Sequence, residues 1–96
     1  MLNVTEIYSK LGTGFCIIKD GKILESYLLD NTQSQKLDMV AKITAVLPED
    51  FEAGILEFDI KNMFGAIKME DKIVIFPVKT DNLGEILKRK GALYEV

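Results

Sequence analysis

The sequence predicts an α/β (α+β) fold in the order α-β-β-α-β-β-β-α. It is a central five-stranded antiparallel sheet with the long helix on one face and the two terminal helices on the other. Three observations carry this prediction. Apolar residues recur at helical spacing in three segments, near the two ends and in the middle of the chain. Short turns join the remaining runs, so neighbouring strands run antiparallel. The runs "FCII" (15–18) and "IVIF" (73–76) are apolar on both sides, which suits a sheet covered on both faces.

The first helix opens at Asn3, whose side chain suits an N-cap, with Glu6 three positions on as a capping-box partner. Val4, Ile7, Tyr8 and Leu11 then recur on one face, and Gly12 suits the helix stop. "TGFCIIKDGKILESYLL" (13–29) reads as a hairpin. Its Asp20–Gly21 pair fits a type I′ turn, in which both central residues need positive φ. "DNTQSQKLDMVAKITAVLPED" (30–50) is the main helix, capped by Asp30, Asn31 or Thr32 and ended by Pro48.

Three strands follow at 53–60, 63–69 and 72–78, the last reading as central. Pro77 marks that strand's end, and Gly65 is a bulge or a site of close backbone approach. The closing helix is capped by Asp81 or Asn82, and Leu83, Ile86 and Leu87 form its expected buried stripe. Lys88, Arg89 and Lys90 are expected in its last turn, where positive charge suits the helix dipole, and Gly91 is the expected stop. Gly84 is expected to let the helix start pack closely against the sheet.

The main helix carries more apolar surface than one sheet needs. Leu37, Val40, Ala41, Thr44 and Leu47 form one stripe, and Met39, Ile43 and Val46 form a second. At ~100° per residue the combined arc spans about 220°, against about 100–140° for a helix on a single sheet. Either another part of the chain covers the second stripe or a second molecule does. Shortage of other helices favours the second molecule. Burying three such side chains would contribute roughly 4–8 kcal/mol gross to association.

Composition excludes more than it offers. The 96 residues make one domain, 1–96, and the net charge of −3 disfavours nucleic acid. The 12 basic residues include one arginine, Arg89, so bidentate phosphate readout is nearly closed. The absence of histidine removes the commonest general base and metal ligand, and Cys16 has no partner for a disulfide. Its neighbours are apolar, so it reads as a buried small hydrophobe. No P-loop occurs, "GTG" (12–14) is a weak glycine signal, and no apolar run approaches the ~20 residues of a membrane span. The cluster Glu49, Asp50 and Glu52 lacks the spacing of a cation loop and reads as a solvated turn. Glu57 and Asp59 alternate with apolar residues, as a strand's solvent face or a contact rim would. The start of the closing helix carries Asp81 and Glu85, so it repels phosphate rather than binding it. The expectation is a cytoplasmic, non-catalytic protein without cofactor, metal or membrane insertion.

The element order, the "GFCIIKDGKILESYLL" hairpin, the long helix and "IVIFPVKTDNLGEILKRK" together resemble the Roadblock (dynein light chain) domain family, relatives of longin and profilin-like folds. The stretch Asn82–Leu83–Gly84–Glu85–Ile86–Leu87 is the nearest match to a family signature. In two respects the chain departs from the pattern: its first strand lacks the usual small residues, and its long helix is poor in alanine. The resemblance implies a homodimer paired through the long helix and the third strand, so that two sheets join into one. Carried onto this chain, it implies a dimer interface at Met39, Ile43, Val46, Ile55, Glu57 and Asp59. It further implies a regulator or scaffold that binds a small Ras-like GTPase. Alternatives are a platform subunit of a larger complex, or a small-molecule-sensing module with a pocket between sheet and helix.

Overall fold

The structure is a computed structural model that describes residues 3–59, 62–79 and 81–94, with Asp59 described by its backbone alone. Its elements run α1 (Val4–Leu11), β1 (Phe15–Lys19), β2 (Lys22–Tyr27), α2 (Asn31–Gln35), α3 (Leu37–Thr44), β3 (Ala53–Asp59), β4 (Asn62–Met69), β5 (Lys72–Val78) and α4 (Leu83–Tyr94). The strands form one antiparallel sheet in the order β2-β1-β5-β4-β3. The expected Ile60 of the third strand and the Lys61 turn lie outside the described residues.

Local chemistry explains the first elements. Asn3 Oδ1 accepts the Glu6 amide at 2.9 Å, and Gly12 closes α1 in the left-handed region at φ 71°. Asp20 (φ 51°) and Gly21 (φ 74°) make the β1–β2 turn with both central residues at positive φ. Alternation in β1 then feeds two separate cores. Phe15 and Ile17 join Ile7, Leu11, Ile86 and Leu93 under α1 and α4. Cys16 and Ile18 join Leu37, Val40 and Ala41 under α3. This is why the strand is apolar on both sides: each face has its own helical layer.

The long helix is broken at Lys36, which is a departure from the single helix expected over 32–47. Asp30 and Gln33 form a complete capping box at the start of α2, which buries no residue. At Lys36 (ψ −9°) the amide turns to Gln33 O, three residues back. The break lets α3 take its own rotation, with Leu37, Val40, Ala41 and Thr44 against the sheet. The helix also stops short of Pro48. Val46 and Leu47 donate to carbonyls three residues back, which tightens the last turn.

The closing helix differs more. Asn82 is its cap: Asn82 Oδ1 accepts the Gly84 amide at 2.9 Å. A Cβ on Gly84 would approach that same oxygen at 3.0 Å, so the glycine makes room for the cap and does not pack on the sheet. The helix runs through Gly91 to Tyr94, because Leu93 is buried and Tyr94 Oη donates to Lys68 O at 2.6 Å. The basic residues therefore sit in mid-helix and each is engaged. Arg89 donates to Leu11 O and lies 5.6 Å over the Phe76 ring, Lys90 pairs with Glu52, and Lys88 with Glu85. The buried line is Ile86 and Leu93, whereas Leu83 and Leu87, expected inside, are half exposed.

Gly65 is a site of close approach and not a bulge. Its register with Ile55 and Phe76 is regular. A Cβ there would stand 2.6 Å from Phe76 Cζ and 2.8 Å from Ile86 Cδ1, so the glycine seats α4 on the sheet. Pro77 lies beyond the last β1–β5 pair, Cys16–Ile75, where a missing amide costs no ladder bond on that side.

Candidate functional interface

Among the described residues no cluster of acidic or thiol side chains has a metal-holding arrangement. Glu49 meets Lys68 through its backbone carbonyl, which accepts Lys68 Nζ at 2.7 Å, and Glu52 pairs with Lys90 at 3.4 Å. Burial pushes the Cys16 thiol up to about 12, so it stays protonated and unreactive at neutral pH. Asp71 holds Lys19 at 2.9 Å and Lys72 at 3.0 Å, and these hydrogen bonds lower its carboxyl to about 2.

An open cavity of about 390 Å³ lies at the C-terminal end of α3, lined by Ile18, Thr44, Leu47, Phe51, Lys68 and Ile73 among others. Thr44 is the buried hydroxyl beside it, and it donates to Ala41 O at 2.7 Å. No buried polar side-chain atom among the described residues lacks a hydrogen-bond partner.

The sheet edges are more informative. Strand β2 is one edge, and the register shift against Ile17 and Ile18 leaves Leu24 unpaired as a bulge. Bulges and flanking charges (here Lys22 and Glu25) blunt an edge against pairing. Strand β3 is the other edge, and from Ala53 to Glu57 its register with β4 is unbroken. Its "AGILE" segment carries neither Lys nor Pro. The unbroken segment is a template for another strand, bounded by the register shift between Glu57 and Asp59.

Of the six residues that the sequence assigns to an interface, Met39, Ile43 and Val46 belong to the α3 layer and Ile55 and Glu57 to the opposite face, while the side chain of Asp59 lies outside the described residues. Met39 (50% exposed) stands on the outer side of α3, Val46 (81% exposed) lies in the turn just past its end, and Ile43 is half-buried. The hairpin turn marks the opposite flank of this helix, since a Cβ on Gly21 would meet Ala45 Cβ at 2.9 Å. The Met39–Ile43 flank is therefore turned away from the hairpin turn. Ile55 packs with the α1/α4 core, and strand alternation puts Glu57 on that face too. Asp59 ends the strand beyond the register shift.

Sequence reasoning missed Leu56 and Phe58. Both are half-buried on the α3 face, packed against the core there, with Phe58 edge-on to Phe64 at 6.0 Å. Their alternation with Glu57 was legible, but which face α3 would cover was not. Leu83 and Leu87 were missed as surface for the opposite reason, since their spacing suits burial and each stays about half exposed; Tyr94, past the expected stop at Gly91, is half exposed too.

Among the described residues no helix is long and apolar enough to cross a membrane. No family model matches the chain. An uncharacterized protein of Archaeoglobus fulgidus is 38% identical to it over 91 residues, covering 94% of this chain and 92% of that protein.

Proposed function

The chain belongs to one family with that uncharacterized archaeal protein, and from this premise we propose that it is a non-catalytic, homodimeric interaction module. The single observation that carries the reading is the open β3 edge, with unbroken register from Ala53 to Glu57, on a molecule that also leaves Met39 and Val46 exposed. Pairing of two β3 strands would satisfy the free backbone groups, and the Met39, Ile43 and Val46 side chains would lose water contact together. Sheet extension supplies the hydrogen bonds and the helix flank supplies the apolar burial. The resemblance to Roadblock domains supports the same geometry. It suggests a regulator or scaffold for a small Ras-like GTPase in the cytoplasm.

Light scattering behind size exclusion tests the dimer. At micromolar concentration the wild type should run at twice the 10.8 kDa chain mass. Met39→Lys or Ile43→Asp should shift it to one chain mass with the fold retained. A wild type that is strictly monomeric sinks the proposal. The GTPase arm is tested by capture on immobilised protein with GTP, GDP or neither. Recovery of no GTPase in any arm removes the regulatory half and leaves the scaffold.

A ligand-sensing module is the second reading, and the cavity of about 390 Å³ favours it. It requires that small molecules raise the melting temperature of the Leu47→Ala variant less than that of the wild type. Equal shifts would count against the cavity.

A further inference from the structure

We propose that α4 forms a second layer of the same seam. In the dimer, the Leu83, Leu87 and Tyr94 flank of each copy closes over two β3 strands paired about Ile55. This rests on the proposed homodimer and adds its register and its other face.

The register follows from one hydrogen bond. Lys68 N donates to Glu52 O at 2.8 Å. Glu52 faces Lys68, because the ladder continues as Ala53–Ile67, Gly54–Ala66 and Ile55–Gly65. In an antiparallel ladder, directly bonded and unbonded pairs alternate. Glu52, Gly54 and Leu56 therefore bond toward β4. Ala53, Ile55 and Glu57 turn their N–H and C=O groups to the free edge. A second copy laid antiparallel with Ile55 opposite its own Ile55 sets Ala53 against the partner's Glu57. Every outward group of the segment is then paired. Sliding the copy by two residues leaves an outward residue unpaired in each strand.

The side chains of these same residues face α4. Ala53 and Ile55 pack against the core that holds Ile86 and Leu93. The rotation of α4 is set by its contacts. Ile86 and Leu93 point into the sheet, and Arg89 reaches across to Leu11 O on the α1 side. Lys90 reaches the other way, to Glu52 at the start of β3. At ~100° per residue, Leu83, Leu87 and Tyr94 fall together just beyond Lys90, on the flank toward the free edge. Their exposures are nearly equal, 48%, 52% and 50%, as a ridge along a rim would be. Tyr94 is anchored through its hydroxyl to Lys68 O, so its ring is held in place.

The occupant is a second copy because the charges match: the register sets an acidic residue of each copy against a basic one of the other. Each Glu57 would arrive beside the partner's Ala53, next to its Glu52–Lys90 pair. Lys90 would then lie between two carboxylates, one from each chain.

The test compares wild type, Met39→Lys, Leu87→Lys and Ile55→Cys by analytical ultracentrifugation and mild oxidation. Leu87→Lys should raise the dimer Kd at least tenfold with the circular dichroism spectrum unchanged. Ile55→Cys should oxidise to a covalent dimer, because paired residues at this ladder position sit about 5.5 Å apart, within disulfide reach. Leu24→Cys on the opposite edge should not. Cys16 is buried and needs no removal. A wild-type monomer overturns the dimer and this inference together. A dimer that Met39→Lys splits, with either an unchanged Leu87→Lys Kd or no Ile55 disulfide, overturns this inference alone.

Discussion

Gly65→Ala should loosen α4 from the sheet. The added Cβ would stand 2.6 Å from Phe76 Cζ, 2.7 Å from Phe76 Cε2 and 2.8 Å from Ile86 Cδ1. Phe76 and Ile86 are both fully buried, so neither side chain can swing into solvent. Phe76 is held further by the Arg89 guanidinium over its ring. Overpacking of this kind costs about 1–3 kcal/mol. The loss of glycine's freedom in the unfolded chain returns about 0.4–1 kcal/mol. The net loss is about 1–2 kcal/mol, or a fall of roughly 5–15 °C in Tm for a domain of this size. Gly91→Ala is the control. It lies within α4 with open space at its Cβ, and alanine should stabilise the helix there by about 0.5–1 kcal/mol. Urea unfolding at one fixed protein concentration measures both, with the m-value checked for constancy. A Gly65→Ala midpoint equal to or above that of the wild type would mean that Phe76 and Ile86 have room to give, because the two substitutions must differ in sign.

The thiol of Cys16 should stay unmodified by iodoacetamide at pH 8 in the native protein and react once the chain is unfolded. Its folded pKa of about 12 stands above the ordinary value of 9.0. The associated stability is therefore whole below about pH 9 and is lost as pH rises toward 12, by on the order of 4 kcal/mol at about 1.36 kcal/mol per unit. The alkaline slope should be shallower in Cys16→Ala, and equal slopes would contradict the burial argument. The Asp71 carboxyl is depressed to about 2 by its hydrogen bonds to Lys19 and Lys72. Its contribution is present above the usual carboxylate range near ~4 and lost as pH falls through about 2. Carbon NMR titration should place its midpoint near that lower value in the wild type and higher in Lys19→Ala. A midpoint unmoved by that substitution would show the pair is not formed in solution.

Much of the architecture was legible because local signals and global need coincide. Asn3, Gly12 and the Asp20–Gly21 turn work through bonds and dihedrals within a few residues of themselves. The two-sided apolar strand at 15–18 announced a covered sheet, and each of its faces has a core. The exposed second stripe of α3 was likewise visible as an arc too wide for one sheet. The failures cluster where rotation about a helix axis decides the outcome. In α4 the apolar spacing of Leu83, Ile86 and Leu87 suits more than one rotation. Arg89 on Leu11 O and Lys90 on Glu52 select one that leaves Leu83 and Leu87 at the surface. Those bonds join residues far apart in the chain, and no window of sequence contains both partners.

Neighbouring residues were enough to give the alternation of helical and strand segments, the Asp20–Gly21 turn and the caps at Asn3, Asp30 and Asn82. Packing of the whole chain was needed to set β2 and β3 at the edges, and to put Met39 and Ile43 in one layer and Ile55 and Glu57 on the other face. Strand order β2-β1-β5-β4-β3 is a choice among pairings that the turns alone leave open. It is settled by which apolar faces can be buried at once, a property of the whole packed chain.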